Sequence, residues 1–151
     1  MMLIHILFGS QTGNSQNLAH VISDSLENEG FKANILDMGS VDPEKISEMS
    51  YVLVVTSTYG DGEPPDNASE WMSYLKFQSD LDLSHLHYSV LGLGDTYYPH
   101  FCQCGKDFDY YLSKHGGQRL APRLDCDLYY EEQYGIWLEE LITVLKNKLK
   151  E

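Results

Sequence analysis

Cations are scarce in this sequence: 10 Lys and Arg stand against 23 Asp and Glu, a formal net charge of −13. A surface of that sign repels nucleic acid and anionic membranes and attracts basic protein surfaces. Cysteine is scarcer still. Cys102, Cys104 and Cys126 are three in number, odd and too few for a disulfide framework. No second pair joins Cys102 and Cys104 to complete a zinc set, and the six histidines lack metal-ligand spacing, so reduced and buried thiols are expected. No apolar run approaches the roughly 20 residues of a membrane span. Met1 to Phe8 carries no basic leader or small-residue cleavage site and reads as a first strand. A cytoplasmic location is expected.

What is present suffices for a packed core. Hydrophobic residues make up 42% of the 151 residues, which supports one domain over 1–151. Leu3 to Phe8 is a near-continuous apolar run, as in a strand covered on both faces. Leu18, Ile22 and Leu26 form a helical stripe that Gly30 closes. Phe31 to Leu36 reads as a second strand. Asp42-Pro43-Glu44 opens a short helix around Ile46. Tyr51 to Val55 is a third strand, Asn67 to Phe77 a helix and Tyr88 to Leu93 a fourth strand. Gln103 to His115 is a helix stopped by Gly116-Gly117. A weaker fifth strand falls between Gln118 and Leu124, and a last helix runs from about Tyr134 to Lys150.

Strands alternating with helices predict an α/β doubly wound domain, a parallel sheet with helices on both faces. Ligands of such sheets bind beyond the carboxyl ends of the strands. After the first strand comes Gly9-Ser10-Gln11-Thr12-Gly13-Asn14-Ser15, hydroxyls and backbone N–H groups leading into a helix N-terminus. That suits a phosphate. It is neither a P-loop nor a G-x-G-x-x-G turn, and it contains no cation, so the anion must rest on neutral donors and the helix dipole. Thr56 to Asn67 follows the third strand and Gly92 to Phe101 the fourth. Each combines glycines with tyrosines, and two such loops facing each other would sandwich a flat ring.

In content and order these three loops resemble those of the flavodoxin family, short-chain type, and above all the FMN domain of diflavin reductases such as the sulfite reductase flavoprotein. Ser10-Gln11-Thr12-Gly13, Thr58-Tyr59-Gly60-Asp61-Gly62, Gly92-Leu93-Gly94-Asp95-Thr96 and Phe101 to Asp109 carry the resemblance, with Gly117-Gln118-Arg119 and Trp137. It implies a five-stranded sheet of order 2-1-3-4-5 and FMN as cofactor. By the same resemblance, Ser10, Gln11, Thr12, Gly13, Asn14 and Ser15 bind the phosphate. Ser57, Thr58, Tyr59, Gly60 and Asp61 line one side of the ring. Leu93, Gly94, Asp95, Tyr97, Tyr98, His100, Phe101 and Cys102 line the other, with either Tyr97 or Tyr98 stacking. Asp127 matches an acidic residue near the flavin. Gly60, lacking a Cβ, is free to turn its carbonyl toward the ring. Trp71 and Trp137 fall on apolar stripes and belong to the core.

The resemblance implies an electron carrier rather than an enzyme in its own right, a monomer. Its donor would be an NADPH-dependent flavin reductase and its acceptor a basic redox protein. The alternative is an FMN module of a larger diflavin reductase. Asp61, Glu63, Asp66, Asp95, Asp125, Asp127, Glu131 and Glu132 rim the expected site. One carboxylate ~10 Å from the ring opposes an added electron by up to about 1.7 kcal/mol at an effective dielectric of 20. Such a rim predicts a strong reductant and salt-dependent docking.

Overall fold

A computed structural model of the chain describes residues 2–10, 13–58, 62–97, 99–127 and 129–150. Strands β1 (Leu3–Gly9), β2 (Lys32–Asp37), β3 (Tyr51–Ser57), β4 (His87–Leu93), β5 (Gln118–Arg119) and β6 (Leu124–Cys126) form one sheet. Helices α1 (Asn14–Asn28), α2 (Ser69–Phe77), α3 (Gln103–Lys114) and α4 (Tyr130–Leu149) connect or follow them. The sheet is parallel in the order β2-β1-β3-β4-β5, with β6 also paired to β4. This is the doubly wound order expected from the sequence.

The apolar runs explain the layers. In β3, Leu53 and Val55 point to one face and Val52 and Val54 to the other, and all four are buried. The first pair packs with Leu18, Ile22 and Leu26 of α1 and with Trp137, Leu141 and Leu145 of α4. The second packs with Trp71 and Leu75 of α2 and with Phe108 and Leu112 of α3. Burying one such side chain stabilises the fold by about 1.5–3 kcal/mol, so two filled faces hold the sheet without a disulfide. The three cysteines are free and buried, as expected.

Helix α2 begins at Ser69 rather than Asn67, after a 3-10 turn over Asp66–Ala68, and three larger differences from the sequence reading follow. The segment around Ile46 is a 3-10 turn, Pro43–Glu48, with Asp42 accepting from the Glu44 N–H at 2.9 Å. It buries only Pro43 and Ile46, too little to anchor a full helix. Helix α4 starts at Tyr130, not Tyr134, because Glu131 and Glu132 favour a helix N-terminal turn. The fifth strand is divided. Gln118 pairs with His87 and Leu124 with Leu91, so it advances six residues while β4 advances four. Pro122 lies in the interruption and has no N–H for the ladder. Ser89 Oγ fills in, donating to the Ala121 carbonyl at 3.1 Å and accepting from Trp137 Nε1 at 3.2 Å.

Inside β1, His5 has a buried Nδ1 with no hydrogen-bond partner. Burial lowers its pKa from 6.5. A depressed histidine leaves stability intact above its unfolded pKa and removes it as pH falls through 6.5 toward the folded value, because only the unfolded chain protonates readily. The denaturant midpoint of the native chain should therefore fall between pH 7 and 5. His5→Gln should lose less over the same interval, and parallel pH profiles would contradict this.

Candidate functional site

The winding reverses between β1 and β3, where connections leave to opposite faces, and the crevice lies beyond their carboxyl ends. At β1 the chain runs from Gly9 through Ser10 to Gly13, which has φ 89° and serves as the N-cap of α1. A Cβ on Gly13 would meet nothing within 4 Å, so the glycine is needed for its left-handed backbone, not for space. Gly13 supplies no side-chain cap, and no acidic residue occupies the first helical turn. The Gly13 N–H donates to Ser10 Oγ at 2.8 Å. Ser15 is buried, its hydroxyl 2.9 Å from that of Ser57 on β3. The helix thus presents first-turn N–H groups that no side chain among the described residues caps, the donor set that fits a phosphate.

Hydrogen bonds tie the loops together. The Thr58 N–H donates to the Leu93 carbonyl at 3.2 Å, and Thr58 Oγ1 accepts from the Cys104 N–H at 2.9 Å. The Gly94 N–H donates to the Cys126 carbonyl at 2.9 Å. A Cβ on Gly62, which has φ 96°, would lie 3.0 Å from His100 Cβ, so the loop after β3 presses on the loop after β4. Tyr97 is 85% exposed, its N–H held by Asp95 Oδ1 at 2.9 Å. The walls are therefore fixed by backbone contacts, and an aromatic side chain stands out from one of them.

Of the sequence-predicted residues, Ser10, Gly13, Ser15, Ser57, Thr58, Leu93, Gly94, Asp95, Tyr97, His100, Phe101, Cys102 and Asp127 fall at this carboxyl edge, as does the exposed Asn14. Gln11, Thr12, Tyr59, Gly60, Asp61 and Tyr98 lie outside the described residues. Cys102 turns inward. It is fully buried at φ 53°, and its Sγ lies 3.4 Å from the Cys126 carbonyl that accepts from it. Burial pushes the Cys102, Cys104 and Cys126 thiols up to about 12, so none supplies a thiolate near neutral pH. Asp127 accepts from the Tyr129 N–H at 2.8 Å and orders the entry to α4. Trp71 is core, with Nε1 donating to the Val41 carbonyl at 2.9 Å.

Two features escaped the sequence. Asn67 Oδ1 accepts from the Ser10 N–H at 3.0 Å, while its Nδ2 donates to Asp37 Oδ1 at 3.0 Å. Asp37 in turn accepts from the Gly39 N–H at 2.8 Å. This relay, from the end of β2 through the turn before α2, holds the loop at the α1 N-terminus. The acidic rim also contains a cation that sequence order did not reveal. Arg123 Nε donates to Asp125 Oδ1 at 2.9 Å, so Asp125 is neutralised and withdrawn from the rim's negative count.

Together these features define a doubly wound α/β protein in which the loops after β1, β3 and β4 gather at the switch point of the sheet. Comparison with known proteins agrees. The profile of the family described as Flavodoxin matches residues 6–137. A flavodoxin from Streptococcus pneumoniae TIGR4 is 34% identical and superposes with a TM-score of 0.85, over 97% of this chain and 99% of that one. A Pseudomonas aeruginosa flavodoxin variant is 30% identical with a TM-score of 0.81, covering 96% of this chain and 99% of that chain. Among curated relatives, the sulfite reductase [NADPH] flavoprotein alpha-component of Bacillus subtilis is 43% identical over 94% of this chain. The chain spans 24% of that relative's length. The chain belongs to the flavodoxin family, and with it to the flavoproteins of electron transport. No helix among the described residues is long and apolar enough to cross a membrane.

Proposed function

We propose that this chain binds one FMN non-covalently and passes electrons between protein partners. The observation that carries the reading is the α1 N-terminus without a side-chain cap, set at the switch point among loops locked to one another. Asn14 and Ser15 would offer backbone N–H groups to the phosphate, with the Ser10 hydroxyl, which holds the Gly13 N–H, and the Ser15 hydroxyl beside them. Ser57 and Thr58 would form one wall of the ring site. Leu93 to Phe101 would form the other, with Tyr97 or Tyr98 stacking and Asp127 nearby. Bound FMN supplies the exchange of single electrons. The protein's own groups do the rest. Thr58 fixes the wall through Cys104, the buried thiols stay protonated, and the unpaired carboxylates of the rim raise the cost of added negative charge.

The donor in this reading is an NADPH-dependent flavin reductase and the acceptor a basic redox protein. A free-standing shuttle is supported by the likeness to flavodoxins along 97% of the chain. The second reading, an FMN module working within or beside a larger reductase, is supported by the sulfite reductase flavoproteins. The test is stopped-flow oxidation of the reduced, FMN-loaded protein by ferric cytochrome c, a basic one-electron acceptor. Transfer should occur, and its rate should fall at least tenfold as ionic strength rises from about 0.01 to 0.5 M, since screening shortens the reach of the rim. Absence of transfer, or a rate indifferent to salt, would overturn the proposal.

A further inference from the structure

Beside the acidic rim and joined to it through the Arg123–Asp125 pair, α3 and the divided fifth strand line an open groove of about 630 Å³. Of the chain's 10 cationic residues, four line it: Lys106, Lys114, Arg119 and Arg123. Two carboxylates share the wall. Asp107 accepts from Gln103 Nε2 at 2.8 Å, and Asp109 is buried beneath two arginines. Arg119 is anchored by its Nε to Asp109 Oδ1 at 2.8 Å while its side chain stays 43% exposed. Its guanidinium carbon lies 5.9 Å from the Tyr88 ring centroid, so the group is held from two sides. Lys106 and Lys114 make no ion pair among the described residues. Their ammonium groups sit 5.8 Å from the Phe101 and Tyr111 ring centroids.

Arg119 and Arg123 are paired with Asp109 and Asp125, which leaves Lys106 and Lys114 as the groove cations open to an external anion. The geometry points to an acidic, extended segment of a protein partner as the occupant of this groove. Lys106 and Lys114 are eight residues apart on α3, about 12 Å along its axis at 1.5 Å per residue. Carboxylates four positions apart on one face of an extended strand are separated by about 13 Å at 3.3 Å per residue. The spacing thus fits acidic residues four positions apart in a strand-like segment, and Arg119, lining the same groove, adds a planar guanidinium for a further carboxylate. The groove is open to solvent rather than an enclosed cavity.

The inference is independent of flavin binding and is tested on the full chain with or without FMN. A fluorescein-labelled deca-glutamate peptide is titrated at about 0.02 M ionic strength, with deca-glutamine as control. The overall charge of −13 repels such a probe, so saturable binding identifies a local site. Deca-glutamate should bind, deca-glutamine should not, and Lys106→Glu/Lys114→Glu should weaken binding at least tenfold. The double variant spares Arg119 and Asp109 and should keep its circular dichroism spectrum. Lys32→Glu/Lys45→Glu, placed on other elements, should bind as the native chain does. No saturable binding, equal loss in both double variants, or competition by inorganic phosphate as strong as by the peptide would overturn the assignment.

Discussion

Asp109→Ala is expected to cost the fold about 2–3 kcal/mol at pH 7, since hydrogen bonds to a buried charged acceptor are lost while the arginines left behind are partly solvated. The carboxylate is 8% exposed and receives Arg119 Nε and Arg123 Nη1, each at 2.8 Å. The Tyr88 hydroxyl reaches both the Asp109 carboxylate and its backbone carbonyl. Burial and the neighbouring carboxylate push the Tyr88 phenol up to about 12, so it remains a donor. Removal of Asp109 leaves Arg123, 28% exposed, with only Asp125. It also unfastens the two short pieces of the edge strand, which make few ladder bonds of their own, from α3. Asp109→Asn keeps an acceptor and should lose clearly less. Urea denaturation of both variants measures this, and an alanine variant within 1 kcal/mol of the native chain would show the triad to be dispensable.

Asn67→Ala should weaken FMN binding about tenfold or more while leaving riboflavin binding within about threefold. The side chain makes no predicted contact with the ligand. It positions the Ser10 N–H, which would otherwise be left part-buried without an acceptor, at a cost of about 1–3 kcal/mol. That cost falls on the loop beneath the phosphate and not on the walls of the ring site, hence the contrast between the two ligands. Asp37 keeps its bond from Gly39 and should hold β2 in place. Fluorescence titration with both ligands separates the cases. Equal loss for FMN and riboflavin would mean that Asn67 supports the whole crevice and not its phosphate end.

Much of this architecture was legible because it is written in local patterns. The unbroken apolar run of Tyr51 to Val55 and the stripe of Leu18, Ile22 and Leu26 record a strand covered on both faces and a helix buried on one. Gly30 closes α1 with φ 91°, and the Phe31 N–H reaches back to the Leu26 carbonyl at 3.0 Å. The candidate loops were legible for a related reason, since each follows a strand and the strand order places them at one edge. What stayed hidden acts over distance. Asn67 lies 57 residues from Ser10 and 30 from Asp37, and no periodicity connects them. Arg123 and Asp125 are close in sequence, yet the link from Arg123 to Asp109 spans 14 residues and depends on how the fifth strand is broken. The break itself follows from Pro122, a residue visible in the sequence whose consequence depended on where β4 would lie.

In the proposed site, neutral backbone donors at the α1 N-terminus, with no cationic side chain, would hold the phosphate of one FMN. Parallel titrations of the native chain with FMN and with riboflavin at about 0.02 and 0.5 M salt test it most directly. One FMN should bind per chain, about a hundredfold or more tighter than riboflavin, and its affinity should not fall with salt, since no side-chain cation is there to be screened. A properly folded protein that binds no FMN, or that binds FMN and riboflavin equally, would contradict the account.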